Sequence, residues 1–433
     1  MQRTSHIVAV TLVSACAAAA HAQQCSLLDG IGTETSTLMD TGLSGVALDA
    51  GDLNNDGRPD IAAAGDRKVS VLVQTDFGFS IKDQIELSVP VLSPGVRDIA
   101  ILDYDNDGDR DIVVTIDADT DGGSIRIMLN DGSGSFAAQP EIPLSFLPEL
   151  LVAGDIDNNG LEDLVIIDPD GQELFELRNQ GGSFGTPESP GAFNVAQVQD
   201  IVLADFDSNG FLDILVVDDA EDAIIFLNEA RFPGELRFGA RTAPSFAAGN
   251  TIAGAAVGDL EGDGDLDIVV ASFGLVGGAE GRIAVARTEV LGERNVSFES
   301  LETFSVPVST NMPVEDVALM DPDRDGDLDI VVFYTDSTAS WVYENTGAGG
   351  FVEAGQIPSS RNNEDVADVD LNNDGLRDIA YVATGSGPSA VSVLLNICEN
   401  TPPCNDSDLA EPFSVLDLSD ISRFIDGFVV GCD

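Results

Sequence analysis

Seven times the chain returns to one short pattern, Asp-x-(Asp/Asn/Glu)-x-(Asp/Asn)-Gly-x-x-Asp-(Ile/Leu), with first residues at Asp52, Asp103, Asp155, Asp205, Asp259, Asp321 and Asp370. One copy would mean little in so acidic a protein. Seven copies, 49 to 62 residues apart, make the chain a string of equivalent units, each dependent on its neighbours to bury its apolar faces. Apolar runs precede the pattern, as in Asp98-Ile99-Ala100-Ile101-Leu102 and Asp200-Ile201-Val202-Leu203-Ala204. Others follow it, as in Asp111-Ile112-Val113-Val114 and Asp329-Ile330-Val331-Val332-Phe333. A third run comes later in each unit (Val69 to Val73, Ile125 to Leu129, Ile224 to Leu227, Val391 to Leu395), and a fourth starts near Phe79, Phe136, Phe184, Phe238, Phe298 or Phe351. Short Val- and Ile-rich runs divided by Gly and Asp turns are strands, and four per unit of about 50 residues is the blade arrangement. The sequence therefore predicts an all-β fold, a seven-bladed β-propeller of four-stranded blades. No sustained helical period occurs between Gln23 and Ile397.

The seventh unit runs only through its third strand, Ala390 to Ile397, while Thr35 to Gly45 is left over at the other end. If that segment supplies the missing strand, the two termini together close the ring. Ahead of it stand Arg3, an apolar stretch from Ile7 to Val13, and Ala20-His21-Ala22, which read as a signal peptide over residues 1–22 with cleavage after Ala22. Val13-Ser14-Ala15-Cys16 also loosely fits a lipoprotein signal. Residues 23–399 form the propeller, and 400–433 a short tail behind Thr401-Pro402-Pro403. The tail's apolar spacing (Leu416, Leu418, Ile421, Phe424, Ile425, Phe428) predicts a helix. Export leaves four cysteines, Cys25, Cys398, Cys404 and Cys432, in an oxidising compartment, which allows two disulfides in three pairings. Ring closure by both termini favours Cys25–Cys398, with Cys404–Cys432 stapling the tail.

Each repeat offers oxygen ligands at positions 1, 3, 5 and 9, with Gly at position 6 for a turn that a side chain would obstruct. The sets are Asp52, Asn54, Asp56 and Asp60; Asp103, Asp105, Asp107 and Asp111; Asp155, Asp157, Asn159 and Asp163; Asp205, Asp207, Asn209 and Asp213. They continue with Asp259, Glu261, Asp263 and Asp267; Asp321, Asp323, Asp325 and Asp329; Asp370, Asn372, Asp374 and Asp378. An all-oxygen donor set in a flexible loop suits Ca2+, which takes six to eight such ligands at relaxed geometry, so up to seven ions are expected. Zinc and copper would want nitrogen or thiolate. The plainer alternative is a set of metal-free Asx turns. A further acidic stretch, Asp117 to Gly122, has Ile125 where the ninth-position acid should stand, and reads as a solvated turn.

On these residues the chain resembles the FG-GAP/VCBS repeats of integrin α-chain propellers and many secreted bacterial proteins, over residues 40–398. The resemblance implies that a loop such as Asp103 to Asp111 joins the first two strands of a blade and holds calcium. Leu129-Asn130-Asp131-Gly132 to Phe136 looks like the same family's third-strand ending. The tail is similar to the first half of a GC-type dockerin-like domain, with Asp408, Asp417 and Asp420 at that half's degenerate positions. The propeller fold hosts adhesins, lectins and lyases alike, so the resemblance speaks to architecture more than to activity.

Charge and composition narrow the function. With 76 Asp and Glu against 19 Lys and Arg, a net of −57, nucleic acids are poor partners. No later stretch is long and apolar enough for a membrane helix. Both histidines, His6 and His21, lie in the signal, which removes Ser-His-Asp and histidine-zinc designs from the mature chain. Sugar-stacking aromatics are scarce: Trp341 is the one tryptophan, and Trp341 and Tyr343 alternate as core residues on a third strand. The glycine-rich Phe273 to Gly281 could line a binding face or be neutral decoration. The expected protein is a monomeric calcium-binding module, secreted or at a bacterial cell surface, for a protein or glycan partner. The alternative is a calcium-dependent carbohydrate-binding protein or polysaccharide lyase. Peptide mapping of the oxidised protein is expected to recover Cys25 joined to Cys398 and Cys404 to Cys432; a Cys398–Cys404 peptide would overturn the seam disulfide.

Overall fold

The computed structural model describes most of residues 46–396 apart from short connecting segments, with 6–7, 31–32 and 39–40 before them; 397–433 lie outside the described residues. The four cysteines, the helical tail and Asp408, Asp417 and Asp420 therefore fall outside the description, as does most of the glycine-rich insertion in the fifth unit. The repeats fold into seven antiparallel sheets. Blade 1 shows the pattern: Val46–Gly51 pairs with Asp60–Gly65, that with Lys68–Thr75, and that with Gly78–Glu86. The innermost strand of each blade touches that of the next, and the seventh touches the first, so the sheets close into a ring. His6–Ile7 lies parallel to Val202–Leu203 on the inner strand of blade 4.

Apolar side chains alternate off both faces of every sheet, and the core is accordingly shared out as seven clusters, one between each pair of neighbouring blades. Leu53, Val71, Ile112 and Met128 join blades 1 and 2. Leu48, Leu72, Leu371 and Val382 join blades 7 and 1 across the closure. Trp341 and Tyr343 pack in the cluster between blades 5 and 6, as the alternation predicts.

The closing strand comes from the N-terminal segment. It pairs with Ala390–Asn396 in two pieces, Ile31–Gly32 against Asn396 and Leu395, and Met39–Asp40 against Val391 and Ala390. Pairing thus begins four residues ahead of the expected Thr35. Two other outer strands depart from the four-strand expectation. Blade 2's is broken into Phe136–Ala138 and Ile142–Pro143. Among the described residues, blade 3's is represented by two isolated bridges, Asn179 with Phe184 and Glu176 with Glu188. Pro140, Pro143 and Pro187 explain this, because each removes a backbone donor from the ladder. Asp117 is also corrected: it ends the strand Asp111–Asp117, is buried, and pairs with Arg97 at 2.8 Å instead of sitting in a solvated turn.

At six of the seven seams a third-strand amide reaches the preceding blade. Asn130, Asn179, Asn228 and Asn345, at the ends of third strands, each donate Nδ2–H to a loop carbonyl of the preceding blade: Leu53, Tyr104, Ile156 and Leu260, at 2.6–2.9 Å. Asn396 reaches Asp321 O, and Gln74 reaches Leu371 O across the closure. Blade 5 breaks the series, since Thr288 donates to Leu266 O within its own blade. Removing a buried donor leaves a carbonyl without a partner, at a cost of about 1–3 kcal/mol. Asn228→Ala, which strands Ile156 O, is expected to lower stability by about that amount in chemical denaturation; an unchanged midpoint would mean that the amides do not hold the seams.

Candidate metal centres

The seven loops join first to second strands and adopt one conformation. The sixth-position glycines, Gly57, Gly108, Gly160, Gly210, Gly264, Gly326 and Gly375, all have φ between 83° and 97°. The fourth position is left-handed as well: Asn55, Asn106, Asn158, Ser208, Arg324 and Asn373 lie at φ 54–60°, and Gly262 at 73°. Asparagine tolerates this region better than most residues. Its recurrence at position 4 was the available sign of a second left-handed turn, which the glycine pattern alone does not convey.

Each loop folds around its first aspartate. The N–H of the sixth-position glycine donates to that carboxylate in all seven blades, at 2.7–3.1 Å. In five, the fifth-position N–H donates to its other oxygen. The fifth side chain in turn accepts from the seventh-position N–H, as Asp107 does from Asp109 and Asn159 from Leu161.

The ninth aspartate has a different task from the one its spacing suggests. Asp60, Asp111, Asp163, Asp213, Asp267, Asp329 and Asp378 are at most 1% exposed. One oxygen of each accepts the N–H that ends the third strand, from Gln74, Asn130, Asn179, Asn228, Thr288, Asn345 and Asn396, at 2.6–2.9 Å. In blades 1, 2, 4, 5 and 7 the other oxygen accepts the second-position N–H, from Leu53, Tyr104, Phe206, Leu260 and Leu371. In blade 6 the second position is Pro322, which has no N–H to give, and Asp329 Oδ2 is left buried without a partner.

In four blades the acids converge so that one oxygen from each lies within 4.8 Å of the others: Asp103, Asp105 and Asp111; Asp155, Asp157 and Asp163; Asp205, Asp207 and Asp213; Asp321, Asp323 and Asp325. Three of these loops also hold buried carboxylate oxygens without a hydrogen-bond donor: Asp105 Oδ1 in blade 2, Asp163 Oδ2 in blade 3, and Asp321 Oδ1 with Asp329 Oδ2 in blade 6. A buried carboxyl oxygen without a donor is costly unless a proton or a cation meets it, so the loops of blades 2, 3 and 6 fit a metal ion on this ground, and that of blade 4 on the convergence of its acids. The other three differ. In blade 1, Asp56 pairs with Arg58 of its own loop at 2.9 Å. In blade 5, Glu261 pairs with Arg287 at 2.9 Å. In blade 7, Asp370 and Asp378 accept the same backbone N–H groups as in the other loops, while Asp374 falls outside the described residues.

Crowded acids without a cation hold their protons. Burial pushes Asp60 and Asp111 up to about 6, Asp163 and Asp267 to about 7, and Asp213 and Asp329 to about 8. Backbone N–H donors pull these values down, and the other acids of each loop push them up. Burial also raises Asp321 to about 6. Asp56 goes the other way, lowered chiefly by its bond to Arg58.

A family described as FG-GAP-like repeat matches residues 52–114, 103–166, 155–216, 205–270 and 321–381. Every match begins on the first aspartate of a loop, and no match begins at Asp259. No curated protein matches the sequence. Among solved structures, Raptor from Chaetomium thermophilum is similar at 13% identity and TM-score 0.49, over 80% of this chain. The chain spans 28% of that protein's length. A protein from Lactobacillus plantarum is similar at 10% identity and TM-score 0.49, over 81% of this chain and 99% of its own.

Acids whose carboxyls are raised in the folded state bind protons more tightly there than in the unfolded chain. Without metal, stability therefore falls as pH rises from the ordinary aspartate range, about 4, through 6 to 8. A bound dication favours the charged form and opposes this fall. In chelator, the melting temperature is expected to drop between pH 5 and pH 8, and millimolar calcium is expected to flatten the drop. A melting temperature in chelator that does not change with pH would contradict this account of the loops.

Proposed function

Because the chain belongs to the FG-GAP-like repeat family, we propose that it is an exported calcium-binding β-propeller that serves as a binding or surface-scaffold module. The observation that carries the calcium reading is the convergence of three carboxylates in each of four loops, with donorless buried oxygens in three of them. Asp103, Asp105 and Asp111, their counterparts in blades 3 and 4, and Asp321, Asp323 and Asp325 in blade 6 would hold the ions. The donors are all oxygen and sit in loops of relaxed geometry, which favours calcium over magnesium or a transition metal. Its role there is structural: a dication neutralises acids that otherwise repel one another and ties the loop to the strands its ninth residue already grips. The arginine and lysine scarcity and the net charge of −57 disfavour nucleic acid as a partner. Export rests on the N-terminal signal and the cysteine usage, and the tail from residue 400 would be an anchoring or packing element.

For the partner, a protein is favoured over a glycan. Trp341 and all four tyrosines, Tyr104, Tyr334, Tyr343 and Tyr381, are buried between blades, so none can serve as a platform for sugar stacking. A glycan would have to be held through calcium and hydroxyls alone.

Thermal melts test the metal reading directly. An ion present at a hundred times its Kd stabilises by about 2.7 kcal/mol per site, so several filled loops are expected to raise the melting temperature by roughly 10 °C or more over excess chelator. Identical melts would reduce the loops to metal-free turns. Glycan-array binding that disappears on chelation would replace the protein-partner reading with carbohydrate recognition, and release of unsaturated sugars would establish a lyase.

A further inference from the structure

Blade 5 differs from its neighbours in ways that bear on one another. Its loop carries glutamate where every other loop has aspartate or asparagine at the third position, and the extra methylene lets Glu261 reach out of the loop. Arg287, on the third strand Gly281–Gly292, meets it: Nε donates to Glu261 Oε2 at 2.9 Å, and the same guanidinium lies 3.5 Å from Glu302 Oε2 on the outer strand Asn295–Val306. The Arg287 side chain is 15% exposed and Glu261 23%, so the pair is largely out of water.

The rest of the loop is also held by protein. Val290 N–H donates to Asp265 Oδ2 and Thr288 N–H to Asp267 Oδ1. All four of its ligand-type residues are described, yet no three of their oxygens converge within the 4.8 Å seen in blades 2, 3, 4 and 6, although Glu261 also lies within hydrogen-bonding reach of Asp267. No oxygen of Asp259, Glu261, Asp263 or Asp267 is among the buried ones lacking a donor. Blade 3 supplies the internal comparison. Arg178 occupies the strand position of Arg287, one residue before the N–H that meets the ninth aspartate, but it turns outward to Glu188 at 2.6 Å. There the loop has the shorter Asp157, and its acids do converge.

We propose that the blade 5 loop takes no calcium, because the tethered guanidinium of Arg287, braced by Glu261 and Glu302, is its built-in counter-ion. This rests on the calcium reading of the other loops. A cation fixed to the adjacent strand has no dilution to overcome, whereas a free ion must displace it and leave a buried arginine beside fewer acids. Blade 1 is not equivalent: Arg58 and Asp56 are solvent-exposed partners within one loop, a pair that water screens and a dication can displace.

Hydrogen exchange on the full chain, with calcium and then with excess chelator, tests this without any substitution. Amides of 103–111, 155–163, 205–213 and 321–329 are expected to lose protection on chelation, while 259–267 keeps its own. Deprotection of 259–267 alongside the others would overturn the proposal and leave the calcium reading standing. No change in any loop would overturn the calcium reading, and this proposal with it. Equilibrium dialysis of calcium against the full chain adds a second arm: Glu261→Gln is expected to leave the number of bound ions unchanged, and Asp105→Asn to lower it by one. A loss of one ion on Glu261→Gln would likewise overturn the proposal.

Discussion

The ninth residue of each loop is an aspartate shut away from water, and its oxygens are committed to backbone N–H groups from separate segments. One bond fixes the end of the third strand in all seven blades; the other, in five of them, fixes the start of the loop. A carboxyl group can do this where an amide or hydroxyl cannot, because it offers an acceptor oxygen to each of two separate donors. Loop, second strand and third strand are thereby held in one register, and in every blade but the fifth the third-strand residue that donates to it is the one whose side chain reaches the preceding blade. Asn130 shows the chain of dependence: its N–H goes to Asp111, its amide to Leu53 O of blade 1, and its Oδ1 receives Gly132 N–H. The blade's internal order and the seam between blades are set at one point.

That arrangement explains why the acids sit where they do. The same loop that carries a metal-type ligand set also carries the bonds that hold the ring together, and in blades 2, 3 and 4 the ninth aspartate belongs to both, so a cation bound there would act on the seams. Around the inner face a second set of carboxylates works alongside. Asp98 and Asp200 follow bulges in their first strands and accept Leu151 N–H and Ala255 N–H from the next blade, and Asp365 accepts Leu48 N–H across the closure. Burying acids is costly, and here each is compensated by directed backbone donors instead of by cations, of which this chain has few.

Much of this was legible from residue order. Seven loops in register required seven units; the apolar alternation required two-faced strands; the shortfall of one strand at the C-terminal end required a strand from the other terminus, and Ile31–Gly32 and Met39–Asp40 supply it. Three acids of each loop in blades 2, 3, 4 and 6 lie together, with the ninth residue taking part in blades 2, 3 and 4 and the fifth in blade 6. Other features were present as letters without visible meaning. Asp98 and Asp200 look like ordinary strand-initial residues, because the N–H each one meets lies more than fifty positions away. Glu261 looks like a conservative variant of aspartate, because Arg287 lies on a different strand and nothing in the spacing aims one at the other.

By itself the sequence determined the repeat, the number of blades, the ring closure and the positions of the loops, because these follow from short-range periodicity and from the conformational demands of glycine and asparagine within one turn. Only the tertiary structure decided which acids are structural and which are free to bind, which blades lose their outer strand's ladder, and where an arginine takes a cation's place. Those outcomes depend on the direction and reach of side chains brought together from different strands and different blades, and a linear pattern of residue types does not encode direction.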